Sequence, residues 1–244
     1  MFLLGQPVTA KILNFPGGKL VPEALPPVDD LASEPTPERL AQALRSGEVP
    51  SDRVFDRFLP HDLDVLSGQY WTPLIVAARA AEWFTELGVR TVVDIGSGAG
   101  KFCVAAALYG GASYIGLEQR PRLVAVARAL CSLFQVEDRA RFIEGALGDS
   151  ALPSADAYYL YNPFGENLFG TADHLDENVE LSDERYVRDI RAAEDLMRAA
   201  PAGTYVLTYN GFGGQVPASY DRLRSDYNLP EVLRLWRKTG ALNR

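Results

Sequence analysis

Residues 92–100 read Val92-Val93-Asp94-Ile95-Gly96-Ser97-Gly98-Ala99-Gly100, and the chain continues as Lys101-Phe102-Cys103-Val104-Ala105-Ala106-Ala107-Leu108. A short apolar run ends at an acid, glycines follow at every second position, and an apolar helical pattern starts at once. Glycines between a strand and a helix let a ligand approach the backbone, where the unpaired N–H groups of the helix start meet it. Several ligand classes use this device. A mononucleotide P-loop needs four residues between its first glycine and Gly-Lys-Ser/Thr. Here Gly96 and Gly100 enclose three, and Lys101 precedes Phe102. A dinucleotide fingerprint needs a third glycine where Lys101 stands, so hydride chemistry ranks second.

Around this turn, strand and helix patterns alternate. Arg90–Ile95, Ser113–Leu117, Ala140–Glu144, Asp156–Tyr161 and Thr204–Tyr209 read as buried strands. Lys101–Leu108, Pro121–Phe134 and Asp183–Ala199 read as helices, the last with Tyr186, Val187, Ile190, Ala193 and Met197 at helical spacing. The rhythm predicts an α/β fold: a doubly wound, mostly parallel sheet with helices on both faces. Near the end, a helix is expected over Ala218–Ser225 and an edge strand over Glu231–Arg237. Upstream, helices are expected from Thr36 to Gly47, over Ser51–Leu59 and over Pro73–Leu87. Pro16, Pro22, Pro26, Pro27 and Pro35 rule out long regular elements before them. The organisation is therefore a proline-rich arm (1–35) acting as a lid or partner segment, a helical N-terminal extension (36–88) and a core (89–244).

The net charge of -8 and pI near 4.9 argue against a broad grip on phosphate backbones, so nucleic acid is disfavoured as a partner. Cys103 and Cys131 are the only cysteines and sit in apolar helical patterns without metal-ligand spacing, so buried thiols and no metal are expected. No run of about 18 apolar residues occurs, and no basic segment precedes Phe2-Leu3-Leu4. A cytoplasmic protein with no membrane contact is the expectation.

The stretch Val92–Gly100, in its setting from about Trp71 to Tyr209, resembles the class I S-adenosylmethionine (AdoMet)-dependent methyltransferases. That resemblance implies AdoMet as cofactor, lying on Asp94, Gly96, Ser97, Gly98 and Gly100, with the acid fixing its methionine end. It also implies that Glu118, closing Tyr114-Ile115-Gly116-Leu117-Glu118, accepts the ribose hydroxyls, with Gln119 and Arg120 beside the adenine. The family's Gly-Asp pair after the third strand is replaced by Gly145-Ala146-Leu147, with Gly148-Asp149 following. Backbone groups of Ala146 and Leu147, or the Asp149 side chain, then meet the adenine.

Three features bear on the methyl acceptor. Asn162-Pro163-Phe164, after the fourth strand, resembles in part the Asn-Pro-Pro-aromatic signature of nitrogen methyltransferases, which makes these residues the catalytic candidates. Ser67-Gly68-Gln69-Tyr70-Trp71-Thr72-Pro73 resembles a segment of the lysine methyltransferases related to the nucleosomal telomeric-silencing enzyme. This implies cofactor contact by Thr72 and Gln69; Thr72 also reads as an N-cap before Pro73. Glu166, Asp173, Asp176, Glu177, Glu180, Asp183 and Glu184 form an acidic stretch without Lys or Arg, which reads as a lip for a cationic substrate or as a solvated loop. His61 and His174 have no evident orienting partner, and Tyr161, Tyr209 and Asp64 are further candidates for a base. The expected activity is methyl transfer to a nitrogen, an amine or a protein lysine. The alternatives are an oxygen of a small metabolite and a non-catalytic AdoMet-fold binding protein.

Overall fold

The computed structural model describes residues 35–149, 151–171 and 174–240. Except for Pro35, the arm lies outside the described residues. Thr36 caps α1 (Pro37–Arg45), its hydroxyl accepting the Arg39 N–H as a helix with proline at its first turn requires. Three short helices follow, α2 (Asp52–Asp56), α3 (His61–Asp64) and α4 (Ser67–Tyr70), and then the alanine-rich α5 (Leu74–Glu86). Thr72 does not cap α5. Asp52 does so from α2, its Oδ1 accepting the Leu74 N–H at 2.8 Å.

From there the strands are β1 (Thr91–Ile95), β2 (Ser113–Glu118), β3 (Ala140–Glu144), β4 (Ala157–Tyr161), β5 (Tyr205–Tyr209), β6 (Tyr220–Asp226) and β7 (Leu233–Lys238). The helices among them are α6 (Lys101–Tyr109), α7 (Pro121–Phe134) and α8 (Asp183–Ala199). The sheet runs β3-β2-β1-β4-β5-β7-β6. All pairs from β3 to β5 are parallel, and β7 lies antiparallel between β5 and β6. Two expectations are corrected here. The stretch expected as a helix over Ala218–Ser225 is the edge strand β6, and the expected edge strand is the interior strand β7. A bulge between Arg222 and Arg224 breaks the two-residue alternation of β6, which hid the strand from pattern reading.

One sheet face packs against α5, α6 and α7 together with Leu40, Phe55 and Leu63 of the extension, so extension and core share one hydrophobic cluster. Every residue of α6 from Lys101 to Leu108 is buried, as expected of a helix that is apolar all round. The other face packs Val93, Ile95, Leu117, Leu160 and Val206 with Ala193 and Met197 of α8. The chain leaves β1 for β2 on one side, while β4 pairs on the other, so the β1–α6 turn lies at the switch point where ligands of such sheets bind. Among the described residues, no helix is long and apolar enough to cross a membrane.

Candidate active site

The β1–α6 turn is pinned to β2 by the N–H groups of Gly96 and Ser97, both donating to the Leu117 carbonyl at 2.9 Å. Gly98 has φ +54, and a Cβ there would stand 2.3 Å from a ring carbon of Trp71. Gly96, at φ +73, is approached by Pro163, 2.7 Å from an added Cβ. Glu118 ends β2 with its carboxylate turned into this turn. Oε2 accepts the Gly98 N–H at 3.0 Å and Oε1 the Arg120 N–H at 2.9 Å. Burial pushes the Glu118 pKa up against these two donors and the Arg120 charge. Two of the four lone-pair sites of its carboxylate remain for a ligand.

Asp94 is 3% exposed and accepts from the Cys103 thiol at 3.4 Å; burial pushes its pKa up to about 7. Ser97 Oγ is buried and lacks a hydrogen-bond partner among the described residues. Both line a polar pocket with Thr72, Tyr159, Tyr161 and the Tyr70-Trp71 pair, whose free volume is only about 20 Å³. Thr72 Oγ1 lies 3.0 Å from the Tyr159 hydroxyl, and the Tyr159 ring stacks on Phe102 at 3.8 Å, tying β4 to α6 beneath the turn. Such a stack contributes about 0.5–1.5 kcal/mol beyond its area.

Lys101, which spoils the dinucleotide motif, joins the extension to the turn. It is 2% exposed, and its Nζ forms an ion pair with Asp52 Oδ1 at 2.7 Å and donates to Asp56 Oδ1 at 2.8 Å and Ser67 Oγ at 3.0 Å. Arg120 ties down the other side, its guanidinium reaching Glu166 at 2.9 Å and Asp176 at 3.1 Å. Glu166 Oε1 also accepts the Leu175 N–H at 2.7 Å.

That clamp revises the acidic lip. Glu166 and Asp176 are paired with Arg120, Glu180 with Arg188 and Arg185, and Asp183 and Glu184 occupy the first turn of α8. Asp173 lies outside the described residues. The stretch is mainly a structural tie.

The Asn162-Pro163-Phe164 segment follows β4 beside the glycine turn. Asn162 adopts φ +38, and its amide nitrogen would stand 2.3 Å from a Cβ on Gly165, so the side chain folds over the following turn. Pro163 packs on Gly96. Phe164 is 6% exposed within the cluster on the α8 face. Gln119 is half-buried beyond Glu118, and Ala146 and Leu147 are half-buried after β3. Asp149 is exposed, with its charge felt by Arg188 and Asp189 of α8. Gln69 is exposed. His61 pairs with Asp64 on the surface, and His174 Nε2 lies 3.1 Å from the Phe169 carbonyl. The Tyr161 and Tyr209 rings contact at 4.7 Å, and burial pushes both hydroxyls up, Tyr209 to about 12. Trp71, Lys101 and the role of Arg120 as a clamp were not evident from sequence. Only the buried register of α6 hinted that Lys101 must find partners inside.

Comparison with known proteins agrees with this geometry. The O-methyltransferase domain family matches residues 61–177, from α3 through the turn to the Arg120 clamp. No curated protein matches the chain in sequence. An RNA methyltransferase from Salinibacter ruber, solved with S-adenosylhomocysteine, is 21% identical over 69% of this chain and 94% of that one, with a TM-score of 0.51. An O-methyltransferase from Bacillus cereus, in complex with the same molecule, is 11% identical over 82% and 97%, with a TM-score of 0.52. The mitomycin 7-O-methyltransferase is 17% identical, with a TM-score of 0.51; 86% of this chain is covered, and it spans 62% of that one's length. At these identities the likeness is one of fold. The chain has the class I, seven-strand methyltransferase fold, and its residues 61–177 match the O-methyltransferase domain family.

Proposed function

We propose that this enzyme methylates an oxygen of a small, flat molecule held beside Tyr161 under the Tyr70-Trp71 roof. The observation that carries this reading is the ring-bounded mouth of the pocket. Tyr70 contacts Trp71 at 5.9 Å and reaches across to Phe169 at 6.3 Å, while Tyr161 rests on Tyr209. Such a mouth suits a planar small molecule better than a polymer, and the net charge of -8 also speaks against RNA. The match to the O-methyltransferase domain supports the choice of oxygen.

The residues present fit AdoMet, which supplies an electrophilic methyl group on a sulfonium. The partnerless Ser97 hydroxyl awaits a ligand atom, and Glu118 has lone pairs left for two ribose hydroxyls. Gln119 and the backbone of Ala146 and Leu147 take the adenine side, and Asp94 takes the cofactor's ammonium group. Methyl transfer is an in-line displacement, so positioning by the turn and the aromatic mouth carries much of the rate. Burial holds Tyr159 and Tyr161 protonated, so neither serves as a base at neutral pH. The acceptor oxygen therefore brings its own acidity, as in an acidic phenol or a carboxylic acid.

The Asp94 pKa sets a pH dependence. Below about 7 the free site holds the proton, and a bound ammonium favours the ionised form, so binding expels it. AdoMet affinity should rise with pH up to about 7 and then level off, and Asp94→Asn should flatten the curve. Calorimetry in buffers of different ionisation heat reads the proton directly.

The acceptor class is tested by incubating the enzyme with methyl-labelled AdoMet and a cell extract. Label is expected in the small-molecule fraction, and label in protein or nucleic acid would contradict the proposal. Asn162→Ala should leave turnover nearly unchanged. It should lower the melting temperature by about 2–4 °C, since alanine tolerates the left-handed backbone less well by about 1 kcal/mol. A large loss of turnover at unchanged melting temperature would return Asn162 to the acceptor and restore nitrogen.

A further inference from the structure

The face of the glycine turn that a cofactor must approach is covered by the protein itself. Trp71 is 7% exposed, with its ring against Gly98 closely enough that an added Cβ would sit 2.3 Å away. The free volume left beside it is about 20 Å³, whereas pockets for molecules of cofactor size run to about 300 Å³ or more. Something must give way for a cofactor to enter.

The floor is the poorer candidate, because the turn is bonded to β2 and the strands beneath it are interior members of a parallel ladder. The roof is built from helices of five, four and four residues, too short to be stable without tertiary anchors. Phe55 and Phe58 pack on Phe134 of α7, and Asp62 pairs with Arg122, so the far side of the roof is held to the core. The Trp71 indole donates to the Leu63 carbonyl at a long 3.3 Å, Thr72 meets Tyr159, and Lys101 gathers Asp52, Asp56 and Ser67. The Lys101 anchor joins three side chains of the extension to the first turn of α6. The indole lies on the turn and makes the longest bond of the set.

We propose that Trp71 is the gate of the cofactor site. Its indole and the methionine end of AdoMet claim the same place over Gly98, and the ring swings off the turn as the cofactor enters while Lys101 keeps the extension seated. The proposal rests on AdoMet being the ligand of this turn. It assigns the N-terminal extension a task in cofactor exchange. Binding then includes an opening step, so the observed association rate levels off as ligand is raised.

The test follows S-adenosylhomocysteine binding to the full chain by calorimetry and, in parallel, by acrylamide quenching of tryptophan emission. Trp71→Phe serves as the subtraction control for Trp83 and Trp236. The ligand should raise the quencher-accessible emission of the native chain and leave that of Trp71→Phe unchanged, and Trp71→Phe should bind several-fold faster because its smaller ring clears the turn more readily. Heat of binding without a rise in quenching overturns the gate and leaves the methyltransferase reading standing, as does an equal rise in Trp71→Phe. Absence of binding heat in the native chain overturns both.

Discussion

Replacing Gly98 by valine is expected to abolish AdoMet binding and to lower the melting temperature by on the order of 5–20 °C. Two independent costs meet at this position. The backbone is left-handed, at φ +54, which a β-branched residue adopts only under strain of about 1–3 kcal/mol. The added Cβ would also press into the Trp71 ring 2.3 Å away, overpacking of about 1–3 kcal/mol. In a domain of this size each kcal/mol is worth about 2–4 °C. Binding suffers separately, because the Gly98 N–H that positions Glu118 would be displaced along with the surface the cofactor rests on. Thermal melting and calorimetry on the same sample check both parts. A variant that melts and binds like the native chain would show that the turn does not have this shape.

Replacing Glu118 by alanine is expected to weaken AdoMet about 10- to 150-fold with the fold intact. Its carboxylate would accept charge-assisted bonds from two ribose hydroxyls, and losing them costs about 1.5–3 kcal/mol. The same change leaves the Gly98 and Arg120 N–H groups without their acceptor, so a smaller loss of stability accompanies it. Glu118→Gln separates the two effects. The amide oxygen retains one acceptor and the side chain its volume, so most of the stability returns while affinity recovers only in part. Affinity unchanged in Glu118→Ala would remove the end of β2 from the cofactor site.

Where the apolar period ran without interruption, the sequence predicted the elements residue for residue, as over Pro121–Phe134, Ala140–Glu144 and Asp183–Ala199. The glycine turn was legible because only a turn with positive φ and close neighbours requires glycine at every second position. What failed depended on contacts between distant residues. The acidic stretch looked like an open lip because its main counter-charge, Arg120, lies 46 and 56 positions away from Glu166 and Asp176. Thr72 looked like a cap because Asp52, which performs that task, is 22 positions upstream of Leu74. Nothing local announces that Asn162 turns left-handed and folds its side chain over Gly165. The bulge in β6 hid a strand by shifting its alternation by one residue.

We propose that the turn from Asp94 to Gly100, with Glu118 opposite, holds AdoMet. It is tested most directly by calorimetric titration of the full native chain with S-adenosylhomocysteine, the demethylated cofactor, which binds without turnover. A saturating heat with one site per chain is expected, reproduced by AdoMet. A titration without heat in a chain that melts cooperatively would contradict it.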